Sequence, residues 1–327
     1  MARDSRIDAL KGLMIILVIL GHLITTIDNI NVINHAVMGG IYVFHMPLFI
    51  FISGYLTRDP REQSASRMWH SVKNIAIVLL IFQVIRCSVN IAMGGNPIAT
   101  LKAFPYGELW YLLCLIFWRV LFYYTPTRLI DKPALHIGLA LLAAIFVGLI
   151  PLNNVLALSR GINFYVFFLL GFYSKQGKLK SPLWRNNYVQ IAVAAVLLPA
   201  IFILFPRCGN MLNGADPYGL KDIPQKVMIL LCSVSMLLLV FRYVRENRFF
   251  AHVGRDSLFF YLYHYLVIRL IVIPVMEYFN LGTSMPWILL YLAAVIAILW
   301  LLSKVKPLMW LTKPTFKRKK EAPAISQ

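Results

Sequence analysis

Lys11 and His22 stand eleven residues apart in LKGLMIILVILGH, with no other polar side chain between them. In a helix that separation is about three turns, so the ammonium and the imidazole share one face, ~16 Å apart along the axis. Ile15 and Val18 lie between them on that face. A second histidine, His45, falls twelve residues before Thr57 in the next apolar segment, ~18 Å from that segment's far end at the same rise. If the two segments run antiparallel, the histidines reach matching depth. A neutral imidazole can take a proton from a poor nucleophile, and a cation below it can hold an anion. The face between them would then line a narrow apolar passage. Taken singly, Lys11 reads as a snorkelling anchor and a lone intramembrane histidine as an interhelical hydrogen-bond donor; the matched pair favours a buried site.

The segments that must position these groups are membrane spans. Of 327 residues, 60% are hydrophobic and 14% charged, which departs from soluble proteins, and apolar runs long enough to cross a bilayer recur along the chain. Ten spans are expected, at 10–27, 36–56, 73–93, 108–124, 134–150, 161–175, 189–206, 226–243, 257–279 and 286–303. The fold class is therefore all-α, a polytopic membrane protein. The net charge of +19 would suggest nucleic acid if it were clustered on one face. Instead Lys and Arg alternate with the spans: Arg3, Arg6, Arg58, Arg61, Arg67, Arg128, Lys175, Arg245, Arg255 and the run at 317–320 fall on one side, and Lys102, Arg160, Arg207 and Lys221 on the other. By the positive-inside rule both termini are cytoplasmic. Residues 1–312 read as one transmembrane domain and 313–327 as a basic cytoplasmic tail. The first span lacks a small-residue cleavage site and is expected to stay in place. Cys87, Cys114, Cys208 and Cys232 have no paired spacing, so neither a disulfide framework nor a metal site is expected.

Other ionisable groups fall inside these spans, where they normally face a protein interior or a wet cavity. Arg119 lies in the fourth span and His264 in the ninth; Arg86 and Arg269 lie in outer halves, where Glu108 and Glu277 could pair with them. Trp110, Tyr111 and the run 164–168 read as packing or interface-belt aromatics.

RIDALKGLMIILVILGH followed by VFHMPLFIFISGYL resembles the membrane-bound acyltransferase 3 family, in the branch that includes fucose 4-O-acetylase-like proteins. The family's Arg or Lys, ten residues, then His is matched by Lys11 and His22. Its second-span pattern is matched by Phe44, His45, Pro47, Phe49, Ser53, Gly54 and Tyr55. ELWYLLCLIFWR and GRDSLFFYLYH, ending at His264, resemble two further segments. The resemblance implies transfer of an acyl group, usually acetyl, from cytoplasmic acyl-CoA to a carbohydrate hydroxyl, in a multi-pass protein of the bacterial inner membrane. It implies no permanently bound cofactor, since acetyl-CoA is the donor substrate. On this reading His22 and His45 are catalytic. Lys11, Arg119 and Ser53 bind the acyl-CoA, and His264, Trp110, Tyr111 and Arg86 serve the acceptor or the oxyanion. The partners are acyl-CoA, a carbohydrate acceptor and membrane lipid, with no nucleic acid. The alternatives are a secondary transporter or flippase with a midplane His/Arg site, and a coupled system in which another protein completes transfer. The outer stretch 207–226 is a candidate acceptor contact, or a plain connecting loop.

Overall fold

A computed structural model describes residues 4–27, 32–152, 155–179, 186–197, 199 and 217–313. The described residues form helices and connecting turns, with no strand among them. The chain runs through α1 (Ser5–Thr26), α2 (Val32–Tyr55), α3 (Ala65–Ala92), a short α4 (Pro97–Lys102) and α5 (Trp110–Tyr123). It continues through α6 (Thr127–Ile130), α7 (Pro133–Phe146) and α8 (Leu158–Lys175), then α9 (Asn187–Leu197). After it come α10 (Ile223–Tyr243), α11 (Arg248–Arg255), α12 (Ser257–Val267), a π-helical turn (Ile268–Val272), α13 (Ile273–Tyr278), α14 (Met285–Leu302) and α15 (Lys306–Thr312).

Eight described helical segments are long and apolar enough to span a membrane, so the polytopic all-α reading holds. They coincide with eight of the ten expected spans. The other two expected spans correspond to the shorter apolar helices Pro133–Leu149 and Asn187–Leu197, the latter reaching residues outside those described. Two elements depart from the expected spans. Residues 248–255, read as part of a loop, form α11, and the ninth span is interrupted by the π-helical turn directly after α12. The tail beyond Lys313 and the first half of the 207–226 stretch, 207–216, lie outside the described residues.

Backbone contact between helices fixes the arrangement. A Cβ on Gly12 of α1 would lie 1.9 Å from the Phe250 carbonyl oxygen of α11, and one on Gly254 only 1.7 Å from the Asp8 carbonyl oxygen. The pair α2 and α8 meets the same way. A Cβ on Gly54 would lie 1.9 Å from the Phe168 carbonyl oxygen, and one on Gly171 1.9 Å from that of Phe51. Small residues permit such approach where lipid supplies little hydrophobic drive for helix association. Arg6 adds a polar clamp at this end: its guanidinium donates to the Val244 carbonyl at 3.1 Å and to that of Phe241, meeting the acceptor end of α10 with positive charge. α1, α2, α8 and α12 are thereby the buried helices of the bundle, whereas α3 and α14 turn apolar side chains outward. Three of those four interior helices carry the expected histidines.

Candidate active site

Glu108 is placed by its neighbours rather than by a long helix. It sits in the 3-10 turn Gly107–Leu109 that leads into α5. Gln83 of α3 ties the preceding segment down, donating to the Ala103 carbonyl at 2.8 Å and accepting from the Tyr106 amide at 2.8 Å. The Tyr261 hydroxyl of α12 donates to the backbone carbonyl of Glu108. So held, the carboxylate lies between α1 and α3. Its Oε1 is 3.5 Å from His22 Nδ1, and its Oε2 accepts from Arg86 Nη1. Arg86 is wholly buried; it also donates to the Leu262 carbonyl at 3.2 Å and lies 5.1 Å over the Tyr265 ring. A buried guanidinium needs such a partner set, and the Arg86–Glu108 pair expected from the sequence provides its centre.

His264 joins this group from α12. Its ring centroid is 5.2 Å from that of His22, with the planes tilted by 36°. Nδ1 lies 2.8 Å from the Tyr261 carbonyl oxygen, so that nitrogen carries the proton and Nε2 is an acceptor. Nε2 is buried without a hydrogen-bond partner among the described residues. His45 is fixed by the same device, its Nδ1 2.8 Å from the Ile41 carbonyl oxygen. Tyr42 stands edge-on to the His45 ring at 5.0 Å. Pro47, two residues beyond, withholds one amide from α2, loosening the helix next to the histidine.

These residues border a cavity of about 370 Å³, lined by Val18, His22, Tyr42, His45, Glu108, Trp110, Ala157, Arg160, Phe164 and Tyr261 among others. The matched depth of His22 and His45 thus brings both to one space. Donor atoms of His22, Glu108 and His264 all lie within 4.8 Å of one another. They could in principle hold a metal ion, although the Arg86 guanidinium on the same carboxylate opposes a second cation there.

A second cleft of about 230 Å³ lies at the opposite end of α5, lined by Thr57, Arg58, Arg67, Ser71, Arg119 and Tyr123 among others. Arg119 donates to the Ser71 hydroxyl. The segment that carries Arg58 is pinned by Asp59: Arg61 pairs with Asp59 at 2.7 Å and with Asp131 at 2.9 Å, while Gln176 donates to Asp59 at 3.2 Å. Arg61 beside it holds the Asp59 carboxyl below its ordinary range. Between the cavities, Ser53 Oγ and the Tyr111 hydroxyl share a hydrogen bond of 2.7 Å. Tyr111 touches Tyr261 of the first cavity at 5.7 Å, and eight residues further along α5 comes Arg119 of the second.

The expected residues therefore separate into two groups. His22, His45 and Trp110 line the larger cavity, with Arg86 and His264 directly behind Glu108. Arg119 lines the other cleft, some two helical turns away along α5, where it donates to Ser71. Lys11 pairs with Asp8 at 2.6 Å and is not among the residues lining either cavity. The supposed passage along its face is closed at Ile15, which is fully buried. Glu108 as the partner of His22, and Tyr42, Tyr261 and Arg160 as cavity walls, were not expected. Tyr42–His45 and Tyr261–His264 share the spacing Tyr-x-x-His, which places each tyrosine one turn from its histidine and was legible.

Residues 4–304 match the model of a family described as an acyltransferase domain, the acyltransferase 3 family. This chain belongs to that family. Among curated proteins it is similar to Nodulation protein NolL of Sinorhizobium fredii, 32% identical over 195 residues that cover 53% of this chain and 49% of that protein. It is also similar to Nodulation protein NolL of Mesorhizobium japonicum, 26% identical over 227 residues, 64% of this chain and 57% of that protein. The match thus spans about half the length of these relatives. No solved structure matches the chain. For an acyltransferase 3 member, a histidine–carboxylate pair facing a cavity on one side and a basic cleft on the other is the arrangement that needs a chemical account.

Proposed function

We propose that this multi-pass membrane protein moves an acyl group, acetyl in the simplest case, from acyl-CoA to a hydroxyl of a cell-surface or exported carbohydrate. The observation that carries this reading is the His22–Glu108 pair, 3.5 Å apart and open to the larger cavity. Glu108 directs a proton to Nδ1 and so leaves Nε2 of His22 as the base. The acceptor hydroxyl gives its proton to Nε2 while its oxygen attacks the thioester carbonyl carbon. The C–O bond forms, and the carbonyl electrons move onto oxygen. As the carbonyl re-forms, the C–S bond breaks, and the thiolate takes the proton back from the imidazolium. Paired Glu108 stabilises that imidazolium, in the manner of a histidine–carboxylate couple, and Arg86 fixes the carboxylate. His45 faces the same space and would orient the acceptor or polarise the thioester.

The donor would enter from the basic end, taken as cytoplasmic by its charge. Arg58, Arg67 and Arg119 supply cations for its nucleotide phosphates. The narrow pantetheine arm would pass the Ser53–Tyr111 hydroxyls to reach His22. The chain would then lie in the bacterial inner membrane with both termini inside. The transporter alternative needs a midplane ion site; the Arg86–Glu108 pair instead neutralises the buried charges in place.

The deciding experiment follows radiolabelled acetyl from acetyl-CoA into envelope glycan, in membranes bearing wild type or His22→Ala at equal expression. Label with wild type alone is expected. Equal label in both removes His22 from the chemistry, and no label in either brings the transporter forward.

A further inference from the structure

One wall of the cavity that His22 lines is built around a cation. Resting on the acyl-transfer reading, we propose that Arg160 makes this wall an acceptor subsite for a saccharide bearing an anionic group, a carboxylate or a phosphate. Arg160 lines the cavity together with Trp110, Phe164 and Ala157. Its guanidinium carbon lies 5.1 Å over the Trp110 ring. Phe164, one turn further along α8, stacks on the same indole at 5.6 Å and 22°. The flat guanidinium is thus held against a flat support rather than left to sweep the cavity, which suits a bidentate contact to a planar or tetrahedral oxyanion.

The start of α8 is fixed independently. Leu156 and Ala157 both take left-handed backbone angles, with φ of 51° and 53°, a conformation that residues with side chains rarely adopt. The turn they make brings Ala157 into the cavity wall and sets the direction of the first turn that carries Arg160. α5 grips that turn at two points. Cys114 Sγ lies 3.6 Å from the Ala157 carbonyl oxygen, and Trp118 Nε1 donates to the Gly161 carbonyl at 2.7 Å.

Charge decides what a ligand meets. Among the described residues lining the cavity, Glu108 and Arg160 are the permanently charged ones, and Glu108 is met from behind by Arg86. An anionic group on an acceptor entering the cavity meets the Arg160 guanidinium on this wall. The volume of about 370 Å³ lies in the range of small-molecule sites. A sugar whose oxyanion docks on Arg160 would direct its hydroxyl edge across the cavity towards His22.

The test uses full-length protein in detergent and three probes: glucuronate, glucose 1-phosphate and glucose. Binding without donor is measured by calorimetry, and acyl transfer to each probe is measured separately. Wild type is expected to bind one or both anionic sugars at least tenfold more tightly than glucose; which of them is preferred identifies carboxylate or phosphate as the group recognised. Arg160→Met should raise KM for the anionic acceptor at least tenfold with kcat and glucose transfer unchanged, and Arg160→Lys should recover part of the loss. Equal binding of all three sugars by wild type overturns the proposal. So does an Arg160→Met protein that loses transfer to glucose as much as to the anionic sugars. Arg160-dependent binding of an anionic sugar with no transfer by wild type upholds the subsite and sinks the acyl-transfer reading instead.

Discussion

Glu108 has two duties that substitution can separate. In the proposed reaction it orients His22 across 3.5 Å, and it neutralises the buried Arg86. Glu108→Gln removes the charge from both, so transfer should fall by about 10²- to 10⁴-fold, the usual contribution of a positioned acid or base. The protein should also lose about 3–5 kcal/mol, the cost of stranding a buried ion-pair partner. The double variant Glu108→Gln with Arg86→Met relieves the stranded charge. Thermal unfolding should show stability recovered in the double variant while the rate stays low. If activity returned along with stability, Glu108 would be an ion-pair member and nothing more. Asp59 offers a second residue-scale test. Its carboxyl, held low by Arg61, contributes stability that is fully present above the ordinary aspartate pKa of ~3.9 and lost as pH falls through the lower folded value. Hydrogen exchange in the 56–64 segment, taken relative to the intrinsic amide rate at each pH, should therefore stay constant from neutral pH down to about pH 5 and quicken only in stronger acid. Quickening near neutrality would mean that the Arg61 pair does not hold the segment.

At the scale of the element, four glycines carry the geometry of the site. Gly54 and Gly171 let α2, with His45 and Ser53, lie backbone to backbone against α8, with Arg160 and Phe164. Because the offending atoms at 1.9 Å are carbonyl oxygens, no rotamer change can admit a side chain. Gly171→Val should part the two helices, lowering the unfolding temperature and abolishing transfer together. Gly138 of α7 has nothing within 4 Å of its virtual Cβ, so Gly138→Ala should be neutral or stabilising by about 0.4–1 kcal/mol. Thermal melts of the two variants check the contrast; matching losses would show that helix contact is not what Gly171 serves. The spans were legible because bilayer length and alternating basic loops constrain every segment independently of its neighbours. α11 was not legible. Its eight residues are amphipathic, with Phe249, Phe250 and Val253 towards one face, but they are too few to stand out from the basic loop around them, and the backbone of α1 at Gly12 holds them. The π-helical turn after α12 escaped for a related reason, since one shifted hydrogen-bond register does not alter an apolar run. His22 and His45 could be matched from depth alone. Glu108 could not be matched with His22, because its position depends on Gln83 and Tyr261, two residues distant in sequence.

Across the whole molecule the two cavities lie at the two ends of one helix. α5 begins beside Glu108 and the larger cavity, and Arg119 near its other end lines the basic cleft. From Tyr111 to Arg119 is ~12 Å of helix, a span that an extended pantetheine arm must cover if the nucleotide stays in the basic cleft while the thioester reaches His22. Two predictions follow from this separation and stand or fall together. Arg119→Ala and Arg67→Ala should raise KM for acyl-CoA at least tenfold with little change in kcat, because they would lose contacts made equally in ground and transition states. His22→Ala should do the reverse. Acetyl-pantetheine, which lacks the nucleotide, sharpens the test. Wild type should use it poorly, and the two arginine variants should use it as well as wild type does, since the cations they lost have no phosphate to meet. An Arg119→Ala protein equally impaired with acetyl-pantetheine and acetyl-CoA would place Arg119 in the packing of α3 against α5 through Ser71. The donor's anionic end would then have to be sought elsewhere on the basic face, with Lys11 as the next side chain to test.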